Sequence, residues 1–229
     1  MVCFWYDLSI GVLANFAFLA ILLALSVWLS RIASHSLFDF FGVRSNRHLT
    51  VYCGIFPSGL VGPRESQEVL RFARLFQHRI PGLQEGDSML KTIFFNSVQV
   101  SGVPSRDGTQ VNLAESMITL GSPLYTHASD IFEKNLEHRV SIRDNAIHVP
   151  GTASITDDTQ AVIVKKCRDG LAYFYLAGIT EEGTLTASRY LADNWKQMHN
   201  DYPNGQSFFM RLQYSEHNQI TVLSEAPLD

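Results

Sequence analysis

The sequence predicts an α/β fold: one N-terminal transmembrane helix, then a domain with a mainly parallel sheet and antiparallel hairpins. Three observations predict it. Leu8 to Leu29 is an uncharged apolar run of about 22 residues, enough for one bilayer crossing. From Leu49 onward, strand-like and helix-like segments alternate, as in layered α/β domains. Two pairs of strand-like segments read as hairpins.

The apolar run reads as a membrane helix and not as a cleaved signal. Met1 to Asp7 holds no Lys or Arg, and the run exceeds the length of a signal-peptide core. Arg31, Arg44 and Arg47 follow it and no cation precedes it, so the positive-inside rule places the C-terminal part in the cytoplasm. Trp5, Tyr6 and Trp28 suit an interfacial belt. The expected localisation is the inner (plasma) membrane, single-pass, with the lipid bilayer as a partner. Gly11, Asn15, Ala17, Ala20 and Ala24 form candidate small-residue faces, and a membrane-buried Asn seeks a partner, so helix self-association into a homo-oligomer is expected. Ala and Gly are also common in such helices without that role.

The expected organisation is residues 1–30 as transmembrane helix with a short external tail, 31–48 as a juxtamembrane amphipathic connector, and 49–229 as a cytosolic ligand-binding domain. In the connector, Leu37, Phe38, Phe40 and Phe41 precede Gly42. They lie at the membrane surface or pack on the domain.

Within the domain, Leu49 to Phe56 reads as a strand, followed by a loop with Pro57, Gly59, Gly62 and Pro63. Ser66 to Ile80 has a helical apolar face at Val69, Leu70, Ala73, Phe76 and Ile80, with Ser66 as cap and Pro81-Gly82 as stop. Thr92 to Val103 and Ser116 to Leu120 are strand-like, and Tyr125 to Leu136 is helical. Gln160 to Lys166 and Leu171 to Ala177 flank Arg168-Asp169-Gly170, a hairpin signal. Gly183 to His199 is a helix, and Phe208 to Tyr214 with Gln219 to Ser224 forms a second hairpin.

Composition excludes several functions. The chain carries 18 Lys+Arg against 22 Asp+Glu, a net charge of −4, with no basic run, so extended nucleic-acid binding is not expected. The eight histidines and three cysteines show no zinc or disulfide spacing, and neither a metal nor a cofactor is expected. Cys53 sits in an apolar strand and reads as a small core residue. G-x-G-x-x-G, G-x-x-x-x-G-K-[ST] and G-x-S-x-G are all absent.

The chemistry falls on strand-to-helix joints, where open parallel sheets bind ligands and helix N-termini offer free N–H groups. One joint contains Gly121, Ser122, Pro123 and Thr126, with Ser122 as N-cap and Pro123 as first helical residue. A second contains Gly178, Thr180, Glu181, Glu182, Gly183 and Thr184. A third runs from Gly54 to Arg64, Glu65 and Ser66, and adds a cation. Each joint is also what any α/β loop needs for capping. Glu181 and Glu182 would repel a phosphate, but accept hydrogen bonds from ribose hydroxyls or a base edge.

The Gly121-Ser122-Pro123 and Ala177-Gly178-Ile179-Thr180-x-x-Gly183-Thr184 loops behind an N-terminal helix resemble the membrane-anchored effectors of prokaryotic anti-phage (antiviral defence) systems. Their cytosolic domains are Rossmann-like, of the CARF, TIR or SLOG kind. The resemblance implies a sensor that binds a nucleotide-type second messenger, with cyclic oligonucleotides among the candidates. Binding would rearrange the helices and perturb the membrane. The candidate ligand residues are Gly54, Arg64, Gly121, Ser122, Pro123, Thr126, Gly178, Thr180, Gly183 and Thr184, with no catalytic residue. The alternative is a nucleoside deoxyribosyltransferase-like or TIR-like enzyme, with Glu181, Glu182 or Glu65 as the catalytic carboxylate. A third reading is a ligand-free membrane adaptor.

Overall fold

The computed structural model describes residues 15–19, 21–22, 24–25, 28, 35–43, 48–54, 62–76, 98–136, 139–149, 154–203, 205–215 and 219–228. In chain order the elements are β1 (His48–Cys53), α1 (Pro63–Leu75), β2 (Gln99–Pro104), β3 (Ser116–Leu120) and α2 (His127–Asn135). There follow β4 (Ser141–Arg143), β5 (Ala146–His148), β6 (Gln160–Arg168), β7 (Leu171–Gly178), α3 (Glu181–Asp201), β8 (Phe208–Tyr214) and β9 (Ile220–Pro227).

The seven-stranded sheet has the order β2-β1-β3-β7-β6-β8-β9. Its β2–β1, β1–β3 and β3–β7 pairs are parallel; β7–β6, β6–β8 and β8–β9 are antiparallel. The sheet is therefore half parallel and half antiparallel, which corrects the expectation of a mainly parallel one. The reason is local. β6 and β7 turn through Asp169 (φ 53°) and Gly170 (φ 79°), a positive-φ pair suited to a tight hairpin, and β8 and β9 extend that antiparallel half.

The transmembrane part of the expectation is also corrected. No helix among the described residues is long and apolar enough to cross a membrane. The single-pass, inner-membrane placement falls with it. Of the proposed assembly face, Asn15, Ala17 and Ala24 are helical and exposed, while Gly11 and Ala20 lie outside the described residues. Arg31, Arg44, Arg47, Trp5 and Tyr6 lie outside them too.

The connector aromatics pack on the domain. Residues 35–40 are helical and end in a Schellman arrangement: Val43 N donates to Phe38 O (2.9 Å) and Gly42 N to Asp39 O (3.2 Å), with Gly42 at φ 64°. Leu37, Phe40, Phe41 and Val43 are all buried. Phe41 packs edge-on against Phe72 and Phe76, and Phe40 against Phe174, Phe208 and Trp195. Each fully buried ring is worth roughly 1.5–3 kcal/mol of transfer free energy, so burial outcompetes a surface position.

Strand alternation sorts the core into two halves. On one face Leu49, Val51, Cys53, Ile118, Leu120, Phe174 and Leu176 meet α1, α3 and the 35–43 segment. On the other, Tyr52, Met117, Tyr173, Tyr175, Val162 and Val164 meet α2 and the β4–β5 hairpin. In α1, Phe72 and Glu68 face inward. α1 starts three residues before Ser66, with Gly62 as N-cap and Pro63 in the first turn; Ser66 Oγ instead donates to Gly62 O (3.0 Å). The predicted strand 92–98 and the stop at Ile80–Gly82 fall outside the described residues, Val98 excepted.

Candidate functional site

From β1 the chain crosses to β2 on one side and returns through β3 on the other. The carboxyl ends of β1 and β3 thus flank a topological switch point, where open α/β sheets hold ligands. A cleft of about 330 Å³ lies there. Gly54 contributes from the end of β1; Leu120, Gly121, Ser122 and Tyr125 come from β3 and its loop. Gly178, Ile179, Thr180, Glu181, Thr184 and Leu185 come from β7 and the start of α3, and Glu65 from the first turn of α1.

Each wall has a local cause. Gly121 sits at φ 99°, which side chains other than glycine rarely adopt, and it turns the chain sharply out of β3. Thr126 Oγ1 donates to Leu120 O (2.7 Å) and Ser129 Oγ to Gly121 O (2.7 Å), which fastens this turn to α2. Thr126, not Ser122, is the N-cap of α2; Pro123 lies in a turn whose Ser122 carbonyl accepts from the Tyr125 and Thr126 amides.

On the other side Thr180 is the N-cap of α3. Its Oγ1 accepts from Gly183 N (3.2 Å) and shares a 2.8 Å hydrogen bond with the Tyr214 hydroxyl. Thr184 Oγ1 accepts from Gly178 N (3.2 Å), closing the joint between β7 and α3.

The sequence-predicted residues divide clearly. Gly54, Gly121, Ser122, Gly178, Thr180 and Thr184 line the cleft. Thr126 and Gly183 sit behind its wall as structural supports, and Pro123 does not line it. Arg64 turns aside to Glu182 (3.1 Å), and Arg189 holds the same carboxylate at 2.9 Å. Glu182 is thereby tied into an ion pair away from the cleft, whereas Glu65 and Glu181 line it.

Glu65 is the unusual group. Its Oε2 is shielded from solvent and has no hydrogen-bond partner among the described residues. Burial raises its pKa above the ordinary carboxylate value and the nearby Glu181 adds to that, against the lowering effects of a backbone N–H and Arg64. Tyr125 was missed by sequence reasoning. It is 64% exposed yet forms part of the wall. The only signal for it was its position just after Gly-Ser-Pro.

Cys53 is fully buried, and its thiol is pushed up to about 12, first by burial and then by Glu65, which makes it inert core filling. Among the described residues no group of His, Cys, Asp and Glu is arranged to hold a metal ion. No protein-family model matches the chain, and no curated protein matches it.

Proposed function

We propose that the chain is a sensor domain whose strand-end cleft binds a nucleotide-type small molecule. The observation that carries this reading is the position of the cleft, at the carboxyl ends of the parallel strands and at the switch point between β1 and β3. Its lining supports it: backbone at Gly54, Gly121 and Gly178 forms part of the wall, Tyr125 lies beside it, and the shielded Glu65 Oε2 has no hydrogen-bond partner among the described residues. Occupancy bridges α1, α3 and the loop after β3, and so changes the surface through which copies of the domain associate. Recognition of a second messenger in a defence setting, as the resemblance implies, is the role such a domain would serve. The test is a thermal-shift screen of the full chain against cyclic nucleotides, cyclic oligonucleotides and NAD-derived metabolites. A rise in Tm with one class is expected, and no rise with any would overturn the reading.

A second reading has its own observation. The unpartnered Glu65 Oε2, shielded beside the cleft and with a raised pKa, suits a carboxyl group that acts at a ribose C1′. Free base released from a nucleoside or dinucleotide would favour it. A ligand-free adaptor finds less support, since a cleft stands at the strand ends.

A further inference from the structure

The geometry points to a ligand that enters this cleft with hydrogen-bond donors and a planar ring, and with no anionic group: a nucleoside end and not a phosphate end. This rests on the reading of the cleft as a nucleotide-type site and specifies which part of such a molecule it takes.

Four observations carry it. The acidic side chains in the wall are Glu65 and Glu181, and among the described residues no Lys, Arg or His lines the cleft. Arg64, the cation the sequence offers at this joint, is engaged by Glu182 at 3.1 Å. The helix starts that face the cleft already hold their own acceptors: Glu65 lies in the first turn of α1, and Thr180 Oγ1 takes Gly183 N at α3. The Glu65 Oε2, without a partner among the described residues, lacks a hydrogen bond that a ribose hydroxyl or base N–H supplies, and Tyr125 is a largely exposed aromatic residue in the same wall, of the type on which bases stack.

Calorimetric titration of the full chain with the four ribonucleosides and their 5′-monophosphates tests this. At least one nucleoside should bind about tenfold tighter than its own monophosphate at low salt, as expected for a phosphate of close to two negative charges near carboxylates. The gap should narrow in 0.5 M salt. Glu181→Gln, at an exposed helix start, should narrow it as well, to about threefold. Tyr125→Ala should weaken both members of the pair by a similar factor, about tenfold. A monophosphate that binds as tightly as its nucleoside, or tighter, overturns the inference and leaves the parent reading standing. No binding by any of the eight probes, together with a negative cyclic-nucleotide screen, overturns both.

Discussion

Gly178 and Gly183 meet backbone to backbone: a Cβ on Gly178 would stand 2.6 Å from the Gly183 Cα. This contact joins the end of β7 to the first turn of α3, and the Gly178 N–Thr184 Oγ1 hydrogen bond lies across it. The joint between β7 and α3 beside the cleft is therefore set by two residues without side chains.

Gly178→Ala should be costly, because the added methyl meets backbone and not a flexible side chain. An overpacking cost of about 2–3 kcal/mol is expected, read as a lower urea midpoint with an unchanged slope. Gly170→Ala is the contrast. Nothing lies within 4 Å of its Cβ, but φ 79° makes it strained, so a loss of about 1 kcal/mol is expected.

Lys165 is an internal cation with no hydrogen-bond partner among the described residues. Its Nζ lies 4.2 Å from the centre of the Phe40 ring, with Phe174 and Phe208 beyond. Burial lowers its pKa to about 8, against a partial rise from Cys167. The native state then binds fewer protons than the unfolded chain between about pH 8 and the ordinary lysine value of 10.5. Stability carried by this group rises with pH across that window. Lys165→Met should stabilise the protein by about 2 kcal/mol below pH 8, and the advantage should fade toward pH 10.5. Denaturant melts at pH 7 and pH 10 measure this; a pH-independent difference would contradict it.

Glu133 ties α2 to two other elements. Its Oε1 accepts from Ile142 N (3.0 Å) and from the Tyr175 hydroxyl (2.8 Å), inside the second core half. Tyr175→Phe should cost about 1–3 kcal/mol, since it removes a donor from a buried carboxyl group. Burial raises the Glu133 pKa despite those donors. Its stabilising contribution is therefore full at low pH and declines as pH rises through the native value. Glu133→Gln should narrow the difference between melts at pH 4 and pH 8.

Glu65→Gln separates the roles of that side chain. A raised carboxyl pKa means that the charge costs stability above the native pKa, so the variant should melt higher at pH 8 and unchanged at pH 4. The same variant should bind the nucleoside probes more weakly, as a loss of ligand contact and not of fold.

Much of the sheet was legible from its residues. β3 over Ser116–Leu120 and β8 over Phe208–Tyr214 match the apolar runs that predict them, and Asp169-Gly170 marked its hairpin. The three joints were legible as well, because glycine after a strand is a strong local signal. Which residues face the cleft was not. Arg64 and Glu182 look like binding residues until each is seen to satisfy the other, a pairing over 118 positions that no local pattern reveals. The setting of the connector aromatics was open for a related reason. Hydropathy reports a preference for an apolar setting without saying which, and Phe40 and Phe41 find theirs in the protein core. β4 and β5 escaped notice because their turn uses Asp144 and Asn145 at positive φ, without a glycine.

The central claim is that the strand-end cleft is a binding site, and the most direct measurement fills it. Ile179→Trp places bulk in the cleft wall from a half-buried position that also packs against the second core half. Nucleoside titrations of the wild-type chain and of this variant, alongside their melting temperatures, should show binding lost in a protein that still melts cooperatively, at a Tm lower by a few degrees because the larger side chain disturbs its core contacts. Equal binding by both proteins would contradict the assignment of the site.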